Sequence, residues 1–196
     1  MPATLIAPTE LRLWTSDDYH RMAEVGILHP DEPVELIAGQ IIRKMSPQGS
    51  PHAAAIRRSR RWFEAALREV AQVQTQLPIQ LDDYSEPEPD IAIVQPDPRD
   101  YSDRHPTAPE VWLLIEVSDS TLAYDCNTKA QVYAEAGIPD YWVLDIQRRQ
   151  LHLFRDPQAQ GYAVHQVFPD KQTITPLSFP DAAVAIAALL PLPPLT

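Results

Sequence analysis

Two acidic residues stand where buried strands should meet loops, and carboxylates at such places suit metal chemistry. In VWLLIEVS, the apolar run from Val111 to Ile115 leads straight into Glu116. An unpaired ionised carboxylate is costly to remove from water, so Glu116 needs a cation, a proton or exposure to solvent. Asp90 stands at a similar boundary, at the start of the strand-like segment DIAIV. Carboxylate oxygens are the ligands that Mg²⁺ prefers, so this pair predicts a site for a hard divalent cation.

Lys129 has an unusual place for a cation. The segment NTKAQVYAEAG has a helical pattern that Asp125 or Asn127 could cap, which puts Lys129 in the first turn. The helix macrodipole disfavours an exposed cation there by roughly 0.3–1 kcal/mol. Either Asp125, four residues earlier, pairs with Lys129, or the ammonium points towards the two carboxylates and stabilises charge that builds on a phosphate. The residues alone leave both interpretations open.

The charge of the chain is unevenly distributed. A formal net charge of −11 over 196 residues argues against a non-specific polyanion binder, because phosphate binding draws on Lys and Arg. Yet seven of the 16 basic residues fall between positions 43 and 68. In the helical pattern from Pro51 to Val70, Arg57, Arg61 and Arg68 lie within about 40° of one another. This stripe is either a nucleic-acid contact or a solvated helix face.

The elements that must position these residues follow from hydrophobic periodicity and turn residues. Ser16 is a plausible N-cap for a short helix that Gly26 would end. VELIAGQIIRKM reads as two short strands around a turn at Ala38 and Gly39. Further strands are predicted at QTQLPIQL, DIAIV, VWLLIEV, YWVLDI, QLHLF and YAVHQVF, the last two as a hairpin. Strands combined with helices, and acids at strand ends, predict an α/β sheet whose site lies along one edge.

Composition sets further bounds. The single cysteine, Cys126, permits no intramolecular disulfide, and the six histidines show no spacing typical of a zinc site. The sequence shows neither a signal-peptide pattern nor an apolar run of membrane-spanning length. We therefore expect a cytoplasmic protein that does not bind membranes.

The order of these motifs resembles a known family. EPEPDIAIV, followed by LLIEVSDST and then GIPDYWVLD, is similar to the Uma-two family of putative restriction endonucleases. The resemblance extends from VELIAGQIIRKMSPQGSPH through YWVLD, which is most of the chain. It implies a nuclease core of the PD-(D/E)XK type: an α/β, restriction-endonuclease-like fold with a mixed central sheet flanked by helices. We expect one such domain over residues 1–196.

The resemblance also assigns roles by position. Pro89 and Asp90 match the PD element, and Glu116 matches the acidic residue of the second element. Ser118 stands where the lysine of the parent motif would be, so the resemblance implies that Lys129, from the following helix, takes that role. If Asp90 and Glu116 share a metal, they should lie on adjacent strands at one edge of the sheet. Repulsion between the two carboxylates in the metal-free chain predicts that Asp90→Ala scarcely lowers stability, and Lys129→Ala should leave the fold largely intact.

Two further residues match recurring family positions. Glu35, in VELIAG, would be a further acid of the site, and His52, in SPQGSPH, would contact metal or phosphate, although a histidine at a helix start is as often structural. The implied function is a Mg²⁺- or Mn²⁺-dependent endonuclease acting on nucleic acid, with DNA as the expected substrate. A homodimer is expected because cutting both strands needs two sites. The alternative is a nuclease-like scaffold that binds nucleic acid or a protein without cleaving, which the net charge and the missing in-motif lysine favour.

Overall fold

The computed structural model describes residues 11–29, 31–44 and 49–193. The N-terminal residues and the part of the family-like segment at positions 45–48 lie outside this description. The helices are α1 Ser16–Glu24, α2 Ser50–Leu67, α3 Leu122–Tyr124, α4 Ala130–Glu135 and α5 Ile186–Leu189. The strands are β1 Val34–Ile37, β2 Gln40–Arg43, β3 Gln72–Gln74, β4 Ile91–Val94, β5 Val111–Ser118, β6 Asp140–Asp145, β7 Gln150–Gln158, β8 Gly161–Pro169, β9 Thr173–Ile174 and β10 Val184–Ala185.

A six-stranded mixed sheet forms the centre of the molecule. Its strand order is β3-β4-β5-β6-β7-β8. Strands β5 and β6 are parallel, and the other neighbouring strands are antiparallel. A parallel pair needs a crossover, which α3, a π-helical turn at Asp125–Lys129 and α4 supply. The mixed sheet with helices confirms the α/β fold predicted from the sequence.

Side chains of β5 alternate between two hydrophobic cores, which explains its continuous apolar sequence. Leu113 and Ile115 pack in the core beneath α2 and α5. Leu114 packs in the opposite core, together with Tyr133 and Tyr141, on the side covered by the crossover helix α4. By the same alternation, Glu116 belongs to the face of Leu114 and therefore faces the crossover helix. Both tyrosines are buried in this core.

Two predicted helix boundaries differ from the structure. The N-cap of α1 is Thr15, whose side chain forms a capping box with Asp18, rather than the adjacent Ser16. Helix α2 ends at Leu67 and continues only as a 3₁₀ turn. Val70 is 63% exposed. The buried face of the helix therefore ends at Leu67, about one turn before the predicted end of the helix at Val70.

Two other predictions about elements are wrong. The helical stretch that carries Lys129 begins at Leu122, so the lysine is not in its first turn. The segment QTQLPIQL contributes only Gln74 to a strand, and its later residues run as irregular chain with an isolated bridge from Gln80. In contrast, β1 and β2 form the predicted antiparallel hairpin, with Ala38 at φ +47 and Gly39 at φ +72. Within the described residues, no helix has both the length and the apolar character needed to cross a membrane.

Candidate active site

The register between β4 and β5 brings the two predicted acids together. Ile91 pairs with Ile115, so Asp90 lies beside Glu116 on the same face of the sheet. The backbone N–H of Asp90 lies 3.4 Å from Glu116 Oε2. In return, the backbone N–H of Val117 donates to Asp90 Oδ2 at 2.8 Å. The pair thus meets at one edge of the sheet on adjacent strands.

Glu116 is buried and has two donors on one oxygen. Lys129 Nζ donates to Glu116 Oε1 at 2.9 Å, and the hydroxyl of Tyr133 donates to the same oxygen at 2.8 Å. Burial raises the pKa of Glu116 to about 8 in spite of the opposing attraction of Lys129, and the neighbouring carboxylates of Asp90 and Asp125 raise it further. Glu116 can therefore end a buried strand because Lys129 and Tyr133 both donate hydrogen bonds to its carboxyl group.

Lys129 points towards the carboxylates and not towards Asp125. Its Nζ lies 2.9 Å from Glu116 Oε1 and 3.3 Å from Glu35 Oε1. Asp125 instead accepts a hydrogen bond of 2.6 Å from Thr121 Oγ1. Burial lowers the pKa of Lys129, but the attraction of Glu116 and Glu35 outweighs burial and the pKa is raised. Lys129 is therefore the buried cation of the site.

Glu35 and His52 come to the same place from two other elements. Glu35, in β1, is buried, and its Oε2 accepts the backbone N–H of Glu88 at 3.2 Å. His52 lies in the first turn of α2, with Nε2 at 3.1 Å from Asp90 Oδ2. Burial lowers the pKa of His52, but the hydrogen bond and charge of Asp90 outweigh burial and raise it. The structure thus joins Glu35, His52, Asp90, Glu116 and Lys129 from five separate segments.

These side chains line a pocket of about 430 Å³. Its wall also includes Arg43, Lys44, Gln76, Glu88, Asp119, Thr121, Tyr124 and Asp125. Lys44 forms an ion pair with Glu88 at the rim. Gln76 Nε2 donates to Asp90 Oδ1 at 3.2 Å. The pocket is therefore rich in carboxylates, with Lys129 as the buried cation among its described residues.

Sequence reasoning missed two residues of the crossover helix, Asp125 and Tyr133. Asp125 lines the pocket, and Tyr133 contacts Glu116 from behind it. Both lie four residues from Lys129, a spacing that places helical side chains on one face. That spacing could have predicted that Asp125 and Tyr133 lie near the site, but only if Lys129 was already known to face it.

The predicted arginine stripe is not part of the pocket. Arg57, Arg61 and Arg68 are all exposed, and none of them lines the pocket. At 1.5 Å per residue, Arg57 lies about 7.5 Å and Arg61 about 13.5 Å beyond His52 along α2. Arg68 has φ +46 at the C-terminal cap, so helical geometry does not extend to it. The prediction that all three share one helix face is wrong for Arg68.

The donor set fits a hard divalent cation. Mg²⁺ is usually bound by one or two carboxylates, with water and phosphate oxygens completing its coordination. Glu116 Oε2 has only the long contact from Asp90 N, and Asp90 Oδ1 has only the amide of Gln76, among the contacts of the described residues. In the same residues, no three His, Cys, Asp or Glu side chains converge as a ready-made metal cluster. The fit is thus to a cation held by two protein ligands, Asp90 and Glu116.

The fold of this chain has a counterpart among solved structures. It is similar to the crystal structure of "a putative nuclease belonging to DUF820" from Anabaena variabilis ATCC 29413, with a TM-score of 0.69 and 20% sequence identity. The match covers 89% of this chain and 96% of that chain. At this identity, the likeness shows the fold.

The family follows from the sequence as a whole. The model of the Uma2 family, described as "Putative restriction endonuclease", matches residues 16–188. The chain belongs to this family, which confirms the resemblance seen in its motifs. No significant match is found among curated proteins.

Proposed function

We propose that this chain is a Mg²⁺- or Mn²⁺-dependent endonuclease that hydrolyses phosphodiester bonds of DNA. The observation that carries the proposal is the meeting of Asp90, Glu116 and Lys129 at one edge of the sheet, in a pocket of about 430 Å³. Membership of the family described as "Putative restriction endonuclease" supports the same reaction class. Two carboxylates can hold a metal ion for phosphodiester hydrolysis, and an ammonium can stabilise the charge that develops on the phosphate.

In this proposal, Asp90 and Glu116 hold the cation through the oxygens that carry the fewest hydrogen bonds. When bound, the cation would neutralise charge on the phosphate and make water a better nucleophile. Lys129 has three donors, of which one is hydrogen-bonded to Glu116, and its ammonium also pairs with Glu35 at 3.3 Å. A remaining donor would reach a phosphate oxygen and stabilise charge that develops there. Glu35 holds the ammonium in place.

DNA would be held by groups around the pocket and along α2. His52 lies beside Asp90 and lines the pocket, which suits a contact to the reacting phosphate. Arg57 and Arg61 project from the exposed side of the same helix, at distances that suit the neighbouring phosphates. Arg68, the C-terminal cap of α2, is the furthest of the three from His52 along the chain and would contribute least.

A second candidate function is a nuclease-like scaffold that binds without cleaving. The observation that favours it is the pairing of Lys129 with two buried carboxylates, an arrangement that a purely structural ion pair would also show. The net charge of −11 is also unfavourable for strong binding to DNA.

Cleavage of plasmid and oligonucleotide substrates separates these candidates. The wild type should cut DNA in Mg²⁺ or Mn²⁺ and stop when EDTA is added. Asp90→Asn and Lys129→Met should each lower the rate by about 100-fold or more, because the first removes a charge that holds the cation and the second removes a charge that stabilises the reacting phosphate. Lys171→Met is a matched control at an exposed lysine and should cut like the wild type. Absence of metal-dependent cleavage by the wild type on any DNA or RNA would favour the scaffold.

A further inference from the structure

Glu116 has a contact with the phenol of Tyr133 that has no role in the proposed function. Tyr133 is fully buried, and its hydroxyl donates to Glu116 Oε1 at 2.8 Å. Its ring packs edge-to-face against Tyr141, with centroids 4.9 Å apart. Neighbours on the crossover side therefore fix the ring, so the hydroxyl has little freedom to leave the carboxylate.

The donors on Glu116 are distributed unequally between its two oxygens. Oε1 receives both Lys129 Nζ and the Tyr133 hydroxyl, at 2.9 and 2.8 Å. Within the part of the chain that the structure describes, Oε2 receives only the backbone N–H of Asp90, at 3.4 Å. Two strong donors on one oxygen fix the plane of the carboxylate and leave the other oxygen beside Asp90. Hydrogen bonds of this kind orient metal-binding carboxylates in proteins.

A phenol suits this task better than a second cation would. A phenol stays protonated at neutral pH, so it donates a hydrogen bond without adding positive charge. The phenol therefore holds one oxygen of Glu116 without adding a second positive charge that would repel a metal ion. Lys129 by itself would fix Oε1 less well, because its ammonium is shared with Glu35.

We infer that Tyr133 is a positioning residue for the divalent cation: its hydroxyl holds Glu116 Oε1 so that Oε2 faces the cation with Asp90. This inference rests on the proposed function for the identity of the ligands. It adds a role in metal binding to a residue that also packs in the hydrophobic core. It is distinct from a purely structural role, because it requires that loss of the hydroxyl weaken metal binding.

Tyr141 supplies a matched control on the same face of the sheet. It is also fully buried, and its hydroxyl donates to the backbone oxygen of Asp125 at 3.0 Å instead of to a predicted metal ligand. Tyr133→Phe and Tyr141→Phe each remove one buried hydroxyl and keep the ring. A general effect of losing a buried hydrogen bond should thus appear equally in both variants.

Calorimetric titration with Mn²⁺ measures the effect directly. Tyr133→Phe should bind Mn²⁺ about 10-fold more weakly than the wild type, whereas Tyr141→Phe should bind it with unchanged affinity. In a Glu116→Gln background, Tyr133→Phe should cause no further loss, because the phenol acts through that carboxylate. Wild-type affinity in Tyr133→Phe, or an undiminished loss in the Glu116→Gln background, would overturn the inference.

Two measurements separate this inference from the nuclease proposal. If the wild type binds Mn²⁺ but cuts no nucleic acid, the nuclease proposal fails, while the affinities of the variants still decide the role of Tyr133. If the wild type does not bind Mn²⁺, both fail. Should Tyr133→Phe be too unstable for titration, the rise in melting temperature caused by Mn²⁺ replaces calorimetry, since a ligand stabilises the folded state according to its affinity. An equal rise in Tyr133→Phe and the wild type would overturn the inference.

Discussion

Lys129 is the cation that pairs with two buried carboxyl groups of the site. It pairs with Glu116 and Glu35, and both carboxylates are buried. The sequence suggested that Lys129→Ala would leave the fold largely intact, but that expectation did not consider the burial of both partners. Removing one partner of a buried ion pair leaves an uncompensated charge.

Lys129→Ala should therefore lower the free energy of unfolding by about 3–5 kcal/mol, as other broken buried ion pairs do. Urea denaturation of the metal-free protein measures this change. Lys171→Ala, at an exposed position, is the control and should match the wild type. A Lys129→Ala variant as stable as the control would show that Glu35 and Glu116 do not need the ammonium.

Asp90 has a structural role that its motif does not reveal. Its Oδ2 accepts the backbone N–H of Val117, a buried residue of β5. The expectation that Asp90→Ala scarcely lowers stability considered only repulsion from Glu116, and it omitted this donor. Leaving a buried N–H without a partner costs about 1–3 kcal/mol.

Asp90→Ala should thus destabilise the metal-free protein by about 1–3 kcal/mol. Asp90→Asn should cost less, because an amide oxygen can still accept from Val117 while the repelling charge is lost. Parallel urea denaturation curves of both variants test this order. An alanine variant at least as stable as the asparagine variant would contradict the role assigned to the hydrogen bond.

Among the elements, strands β4 and β5 were the easiest to predict from sequence and the most informative. Their apolar runs border on acids, and the hypothesis of a shared metal placed Asp90 and Glu116 on adjacent strands at one edge of the sheet. That both lie on one face depends on the register between the two strands, which the sequence does not show. The crossover helix was harder, because its early start at Leu122 and its π-helical turn depend on packing against the sheet. For this reason the sequence suggested two partners for Lys129 and missed the contact of Tyr133.

Helix α2 carries a separate prediction about binding. Arg57→Ala combined with Arg61→Ala should weaken DNA binding and lower the slope of log K against log salt by about 2, because each arginine would neutralise one phosphate. Arg68→Ala should change the slope less, since Arg68 lies beyond the helix end. Fluorescence anisotropy across a salt series measures all three slopes. An unchanged slope in the double variant would make the stripe a solvated helix face.

The hairpin of β7 and β8 should make stability depend on pH. His152 Nδ1 and His165 Nε2 lie 3.1 Å apart, and His165 stacks on Phe154 with centroids 4.2 Å apart. Burial lowers the pKa of both imidazoles below the ordinary value of 6.5, and repulsion from His165 lowers the pKa of His152 further. The unfolded chain therefore binds more protons than the folded chain below about pH 6.5, so stability falls as pH falls.

His165→Phe should reduce this acid sensitivity, because it keeps the stacking on Phe154 and removes one titrating group. Near His152, Asp145 favours protonation and Arg148 opposes it, and both remain in the variant. Urea denaturation at pH 7.5 and pH 5 should show a smaller loss of stability in His165→Phe than in the wild type. Equal losses in the two proteins would contradict the contribution of the pair.

For the whole molecule, the sequence predicted the class of fold and the edge of the sheet that carries the site. Those features depend on periodicity and on motifs that are contiguous in the chain. The pocket itself depends on contacts between distant segments. Glu35 from β1, His52 from α2 and Lys129 from the crossover meet only after the sheet has formed. The family resemblance anticipated these residues, whereas local patterns could not. The homodimer expected from the sequence stays a prediction.

Anomalous diffraction from crystals soaked in Mn²⁺ tests most directly whether Asp90 and Glu116 hold a divalent cation. We predict a peak between the two carboxylates, at about 2.0–2.3 Å from an oxygen of each, with Lys129 beside it but not bound to it. In crystals of Asp90→Asn the peak should weaken or vanish. A wild-type map with no peak at this place, from crystals in which the pocket is open to solvent, would contradict the metal site and the nuclease proposal that depends on it.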